Sequence, residues 1–357
     1  MFASVANGLQ VLLASGGITV AWVWLAVCFW ALTFVLAYRS ISLSSRIILV
    51  PEAASVALVA VVAVATVAHG GWHGQRVSPA PFAPPASGVG TLGLGIVFAF
   101  TGFSGFEVAA TLGEESSRAH RVIPAAVVVA LLVSGGVYTA MSWVETIGFP
   151  NAAALAHSPL PLVFIALVFI GPPMGTLVNV AALVSGFGAC LAATNGAVRL
   201  VFALARDGLG PRRLATTHPT HRSPVTALVV VSVLTLGSFL PLAGGKPLTA
   251  FTVLATYGAD LIVVAYLLTC AAAVAFSLRR AGLGRRRRLA GIAIPLAGVG
   301  VLAWVLESSI WPLPAPPFDL LLYLTGAALA AGIAMVALRP GFRRRLAASP
   351  VFRVEAG

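Results

Sequence analysis

The chain has 357 residues, 59% hydrophobic and only 9% charged, with a mean hydropathy of +1.00. A soluble globular domain carries roughly a quarter charged residues, so this composition excludes one and indicates an all-α polytopic membrane protein. The net charge of +12 sits in short loops between apolar spans, a placement that sets membrane orientation and argues against a nucleic-acid partner.

Residues 1–17 are apolar but end at Gly16-Gly17. They are too short to cross a hydrocarbon core that takes about 20 residues. Apolar runs then predict about nine transmembrane helices in a single domain covering 1–357, over 18–38, 47–69, 89–113, 124–147, 174–204, 224–244, 249–278, 289–310 and 317–338. Between them, the Gly- and Pro-rich stretch 70–87 reads as an irregular external connection. Residues 160–171 are apolar, too short to span, and end at Pro172-Pro173; they predict a short external or re-entrant helix.

The basic residues fix an orientation. Arg39, Arg46, Arg118, Arg121, Arg199, Arg206, Arg212, Arg213, Arg222, Arg279, Arg280, Arg285 to Arg288 and the tail arginines from Arg339 onward fall on one side of this nine-span pattern, with Arg76 and Lys246 on the other. Positive charge stays cytoplasmic, so the N-terminus of this chain is expected outside and the C-terminus inside, in a multi-pass protein of the cell membrane.

Three cysteines, Cys28, Cys190 and Cys270, each lie in an apolar run and read as packing residues. His69 and His73 have the spacing of a helical metal pair, but Gly70-Gly71 between them oppose a helix, and no metal or other cofactor is expected. Phosphate-binding and hydrolase signatures are missing, which argues against an enzyme.

The most informative stretch is Thr101-Gly102-Phe103-Ser104-Gly105-Phe106-Glu107, where two glycines flank Phe103-Ser104 inside an apolar span and an acid follows. Glycine eases departure from helical geometry, and interrupted membrane helices build substrate sites near the midplane of many secondary transporters. Acids within spans are candidates for reversible protonation. Glu107 has as its plainer alternative a structural hydrogen bond to a neighbouring helix. Glu52 follows Pro51 and either joins a proton relay or caps a helix start and meets Arg46; Ser55 shares its face. Asp260, about eleven residues into its span beside Tyr257 and Gly258, is either a protonation site or a buried acid bonded to a hydroxyl or carbonyl. Asn195 and Thr194 either contact substrate or tie helices together.

These residues carry a resemblance. Gly105-Phe106-Glu107, Glu114-Glu115, Arg121 and Ile123-Pro124 resemble the sixth-helix signature of amino acid permeases of the amino acid–polyamine–organocation superfamily. Asn195, Arg199, Ala205-Arg206-Asp207-Gly208, Pro211, His218-Pro219 and Pro224 resemble the end of the eighth helix and its cytoplasmic loop. Two departures stand out: Arg118-Ala119 replaces the family's Asn-Pro, and nothing matches the Gly-rich break of the first helix.

The resemblance implies a partial five-plus-five inverted-repeat fold, spanning the fourth to twelfth helices and lacking the first three. It implies a substrate site in which an unwound Thr101–Gly105 segment offers carbonyls to an ammonium, with Phe103 lining the side-chain pocket. Glu107 then matches a position that couples protonation to transport in some relatives. Ser55 falls near the place of a fifth-helix lysine in proton-coupled members. The function so implied is secondary transport of an amino acid or related amine, proton-coupled or by exchange, and impaired by the truncation. The alternative is a non-transporting membrane scaffold or pseudogene product.

Overall fold

The structure, a computed structural model, describes residues 1–39, 41–74, 78–83, 93–103, 105–106, 118–218, 223–279, 284–311 and 313–338. Every regular element among them is helical: α1 (Phe2–Ser15), α2 (Trp22–Arg39), α3 (Ile41–Ala68), α4 (Gly93–Phe103), α5 (Ala119–Gly148), α6 (Ala152–His157), α7 (Pro161–Phe169), α8 (Pro172–Arg206), α9 (Val225–Phe239), α10 (Pro247–Arg279), α11 (Arg285–Ile310) and α12 (Phe318–Leu338), with short 3-10 turns between some of them. Eight of these helices are long and apolar enough to cross a membrane. They coincide with eight of the nine expected spans. The ninth, expected over 89–113, is described only as α4 and Gly105-Phe106.

The helices group into two compact units. The first holds α1 to α3 and α5 to α9, and α8 is its axis. At 35 residues it is about 52 Å long, well beyond the ~30 Å of a hydrocarbon core. Pro172-Pro173 open it, because a missing N–H costs nothing in a first helical turn, and Gly171 at φ 129 makes the bend into it. At its other end Gly208 adopts φ 79, and the Gly208 and Leu209 amides donate to Ala205 O and Leu204 O. This double bond closes the last turn and needs a left-handed residue, which is why the Asp-Gly pair stops the helix there.

Against α8, Leu191 and Val198 pack with Ala37 of α2 and Ala227 and Leu228 of α9. Val178 packs with Val62 of α3, Phe149, and Ile165 and Ala166 of α7. The expected short helix at 160–171 is thus α7, with Ile165 and Ala166 buried. The half-length α1, ended at Gly16-Gly17 as the sequence suggested, lies close on α8: a Cβ added to Gly186 would come within 2.8 Å of Val5 Cγ2. Small residues let membrane helices approach this closely. Meanwhile α5 turns Val128, Val129, Leu132 and Val133 outward, all more than half exposed, as a lipid-facing helix requires.

The second unit holds α4, α11, α12 and α10 from Thr252 onward. Its centre is Val263, Leu302 and Val305, with Ile96 and Phe100 of α4 packed on them and Phe100 edge-on to Tyr266 at 5.8 Å. The antiparallel pair α10 and α11 meets along a seam of small and polar residues. Ser277 Oγ donates to Gly291 O at 3.0 Å, Cys270 faces Gly298, and Ser309 Oγ donates to Asp260 at the far end.

Two local expectations need amendment. Glu52 cannot cap a helix start, because α3 begins at Ile41 and runs through Pro51 without interruption. Its proposed meeting with Arg46 lies outside the described side chains. The chain between α5 and α7 also contains α6, which the sequence reading passed over; Asn151 caps it by accepting from the Ala154 amide at 2.8 Å.

Candidate functional site

The apolar helix α4 stops at Phe103, and Gly105 takes φ 117, a conformation closed to most L-residues. Thr101, Gly102 and Phe103 are still helical, so the break begins about one turn later than the Thr101–Gly105 segment expected to be unwound. The physical reason is that glycine tolerates a helix as well as a turn, so Gly102 alone does not force unwinding; the positive φ at Gly105 does. Ser104, Glu107, Glu114 and Glu115 lie outside the described residues. Arg121 and Pro124 fall on the first two turns of α5, both exposed, so α5 begins five residues before the expected start at Pro124.

The remaining candidates distribute between the two units. In the first, Ser55 is buried and its hydroxyl is committed, to Pro51 O at 2.8 Å on its own helix and to Ala181 O of α8 at 3.3 Å. It ties α3 to α8. Glu52 is half-buried a turn before it, and Asn195 is half-buried on α8. Thr194 bonds back to Cys190 O at 2.8 Å, which spends its hydroxyl within the helix.

In the second unit Asp260 is 2% exposed and accepts from Ser309 Oγ at 3.2 Å through Oδ1. Its other oxygen, Oδ2, is buried without a partner among the described residues. The first unit holds a comparable atom, Asn179 Oδ1, whose side-chain nitrogen donates to Gly8 O of α1 at 3.4 Å.

The second sequence block that carried the resemblance forms a docked loop. His218 donates its amide to Ser223 O at 2.9 Å, Ser223 Oγ donates to Tyr38 O at 3.0 Å, and the His218 ring stands edge-on to Tyr38 at 5.7 Å. The chain after α8 is thereby pinned to the end of α2. The His69–His73 pair is separated by Gly70 and Gly71 at φ 74 and 77, which take His73 off the helix.

Comparison with known proteins agrees with this architecture. A family described as Amino acid permease matches residues 1–331. Curated relatives include the methylthioribose transporter of Bacillus subtilis, 29% identical over 43% of this chain and 35% of its own length. The branched-chain amino acid permease BcaP of the same organism is 29% identical over 45% of this chain and 35% of its own. The low-affinity putrescine importer PlaP of Escherichia coli K12 is 26% identical over 62% of this chain and 48% of its own. The chain thus spans less than half the length of each of these relatives. With most of its length matched by the family and eight of its described helices long and apolar enough to cross a membrane, the chain belongs to the amino acid permease family.

Proposed function

We propose that this protein is a secondary transporter moving amino acids or related amines across the cytoplasmic membrane, with protons or by exchange. The observation that carries the reading is the end of α4 at Phe103, inside an otherwise apolar stretch, followed by Gly105 at φ 117. A helix C-terminus is the negative end of the helix dipole, and a membrane-embedded one attracts an ammonium group. Thr101, Gly102, Phe103, Ser104 and Gly105 are the residues assigned to substrate, with Glu107 or Glu52 exchanging the coupling proton.

The printed names of relatives support a substrate class no narrower than this: one is a branched-chain amino acid permease and another a putrescine importer. In this reading Glu114, Glu115 and the start of α5 with Arg121, together with the arginines at 279–288, face the cytoplasm, where positive charge is retained. Ser55 and Asn195 hold helices in place instead of touching solute.

The test is uptake by purified 1–357 in liposomes, offered labelled amino acids and putrescine separately. Saturable uptake that is lost on substitution at Gly105 supports the assignment. Correctly inserted protein with no saturable uptake of any of them favours the non-transporting scaffold instead.

A further inference from the structure

On the seam between α10 and α11, Asp260 is 2% exposed, and among the described residues only one of its carboxyl oxygens is bonded, to Ser309 Oγ at 3.2 Å. The nearest cations along its own and the adjoining helix are remote. Arg279 is 19 residues on, about 28 Å along α10, and Lys246, 14 residues back, is about 21 Å away. On α11 the nearest cation to Ser309 is Arg288, 21 residues and about 31 Å down the axis. An ionised carboxylate here has no counter-charge within reach among the described residues, and burial of an unpaired charge inside a span is strongly disfavoured.

A second observation points to the same place. Several helical threonines in this protein bond back to the carbonyl four residues earlier: Thr33, Thr66, Thr146, Thr194, Thr235 and Thr269 do so at 2.8 Å or less and Thr176 at 3.3 Å, whereas Thr325 on α12 has a buried Oγ1 with no partner among the described residues. Thr256, one turn before Asp260, does not bond back either, and its buried Oγ1 has no partner among the described residues, like Asp260 Oδ2. Side chains four apart on a helix lie on one face, so the two unmatched oxygens share a face of α10 without being bonded to each other. A proton on Oδ2 removes the buried charge and turns that oxygen into a donor, which an unmatched hydroxyl one turn away can accept.

We propose that Asp260, Ser309 and Thr256 form a proton-binding site: Asp260 Oδ2 takes a proton from hydronium, leaving water, and Thr256 Oγ1, turning toward it, accepts a hydrogen bond from the new O–H, while Oδ1 keeps the Ser309 bond. Release reverses the step and returns the charge to the seam. The titratable groups around it are few. Among the described residues, Tyr257, Tyr266 and Cys270 are on the same helix, Glu307 is exposed on α11, α4 carries none over Gly93–Phe103, and α12 contributes Asp319 and an exposed Tyr323. The site deepens the transport reading as a coupling device, but its occupancy can be read without any transported solute.

The experiment is infrared difference spectroscopy of purified 1–357 in liposomes, between acidic and alkaline buffers, with choline as the only bulk cation. The expected result is a carbonyl-stretch band of a protonated carboxylic acid that moves in deuterium oxide, vanishes in Asp260→Asn and is displaced in Ser309→Ala. A band unchanged in Asp260→Asn overturns the proposal. So does an Asp260-dependent band that sodium abolishes, which would make sodium the ligand. If Asp260→Asn fails to insert, Ser309→Ala and Thr256→Val decide: displaced bands support the site, and bands at the wild-type position overturn it. Absence of uptake with these bands present would sink the transport reading alone.

Discussion

Adding one methyl group at Gly291 tests the seam that holds α10 against α11. A Cβ built there stands 2.7 Å from Ser277 Oγ and 3.4 Å from Ser277 Cβ. The first distance is below any real contact; the second is ordinary. Gly291→Ala therefore forces one of two responses. Either Ser277 rotates away and forfeits its 3.0 Å bond to Gly291 O, costing about 0.5–1.5 kcal/mol, or the helices part and lose packing worth about 1–3 kcal/mol. In a Ser277→Ala background the offending oxygen is gone and the nearest atom is the Cβ at 3.4 Å. There the same methyl should cost close to nothing. The pair is thus expected to couple by about 1 kcal/mol, within the range of interhelical hydroxyl bonds in membranes. Equilibrium unfolding of the four proteins in mixed micelles measures it. Equal costs of Gly291→Ala in both backgrounds would show that the close approach at Ser277 is not what that glycine serves.

Three further outcomes follow from particular residues. Gly208→Ala places a Cβ at φ 79 in the turn that ends α8 and should cost about 1 kcal/mol in the same unfolding assay. A cysteine placed at Ala281, in an otherwise Cys-free variant, should stay unlabelled by an impermeant thiol reagent added to intact cells; labelling would invert the proposed topology. Glu107→Gln keeps the side chain's shape and removes its titratable proton, so under the transport reading it should flatten the pH dependence of uptake. An unchanged profile would move coupling to Glu52 or to Asp260.

What could be seen in the sequence was what periodicity, length and charge encode. Eight spans, the half-length α1 and the short α7 each have a local cause: an apolar run of set length, bounded by Gly16-Gly17 in α1 and by Pro172-Pro173 after α7. The position of the break at α4 was readable to within a turn, because glycine permits unwinding at Gly102 and Gly105 alike while the fold uses only the second. The short α6 was missed because its six residues are too few for periodicity, although Asn151 followed by alanines is a capping signal. Pairings between distant helices had no sequence signal. Nothing local says that the hydroxyl of Ser55 meets Ala181 O, or that Ser309 donates to Asp260 across 49 residues. Those contacts depend on which faces meet, which only packing decides.

The claim that this permease-family chain moves amine-bearing solutes through the break after α4 is tested most directly by uptake into liposomes containing purified 1–357, wild type beside Gly105→Ala. Gly105 has φ 117, and an added Cβ would meet no heavy atom of the described residues within 4 Å, so the substitution acts chiefly by straining the backbone, by about 1–3 kcal/mol. The account predicts saturable uptake of an amino acid or of putrescine by the wild type, and its loss in Gly105→Ala with insertion unchanged. Uptake that proceeds equally well in both would contradict it.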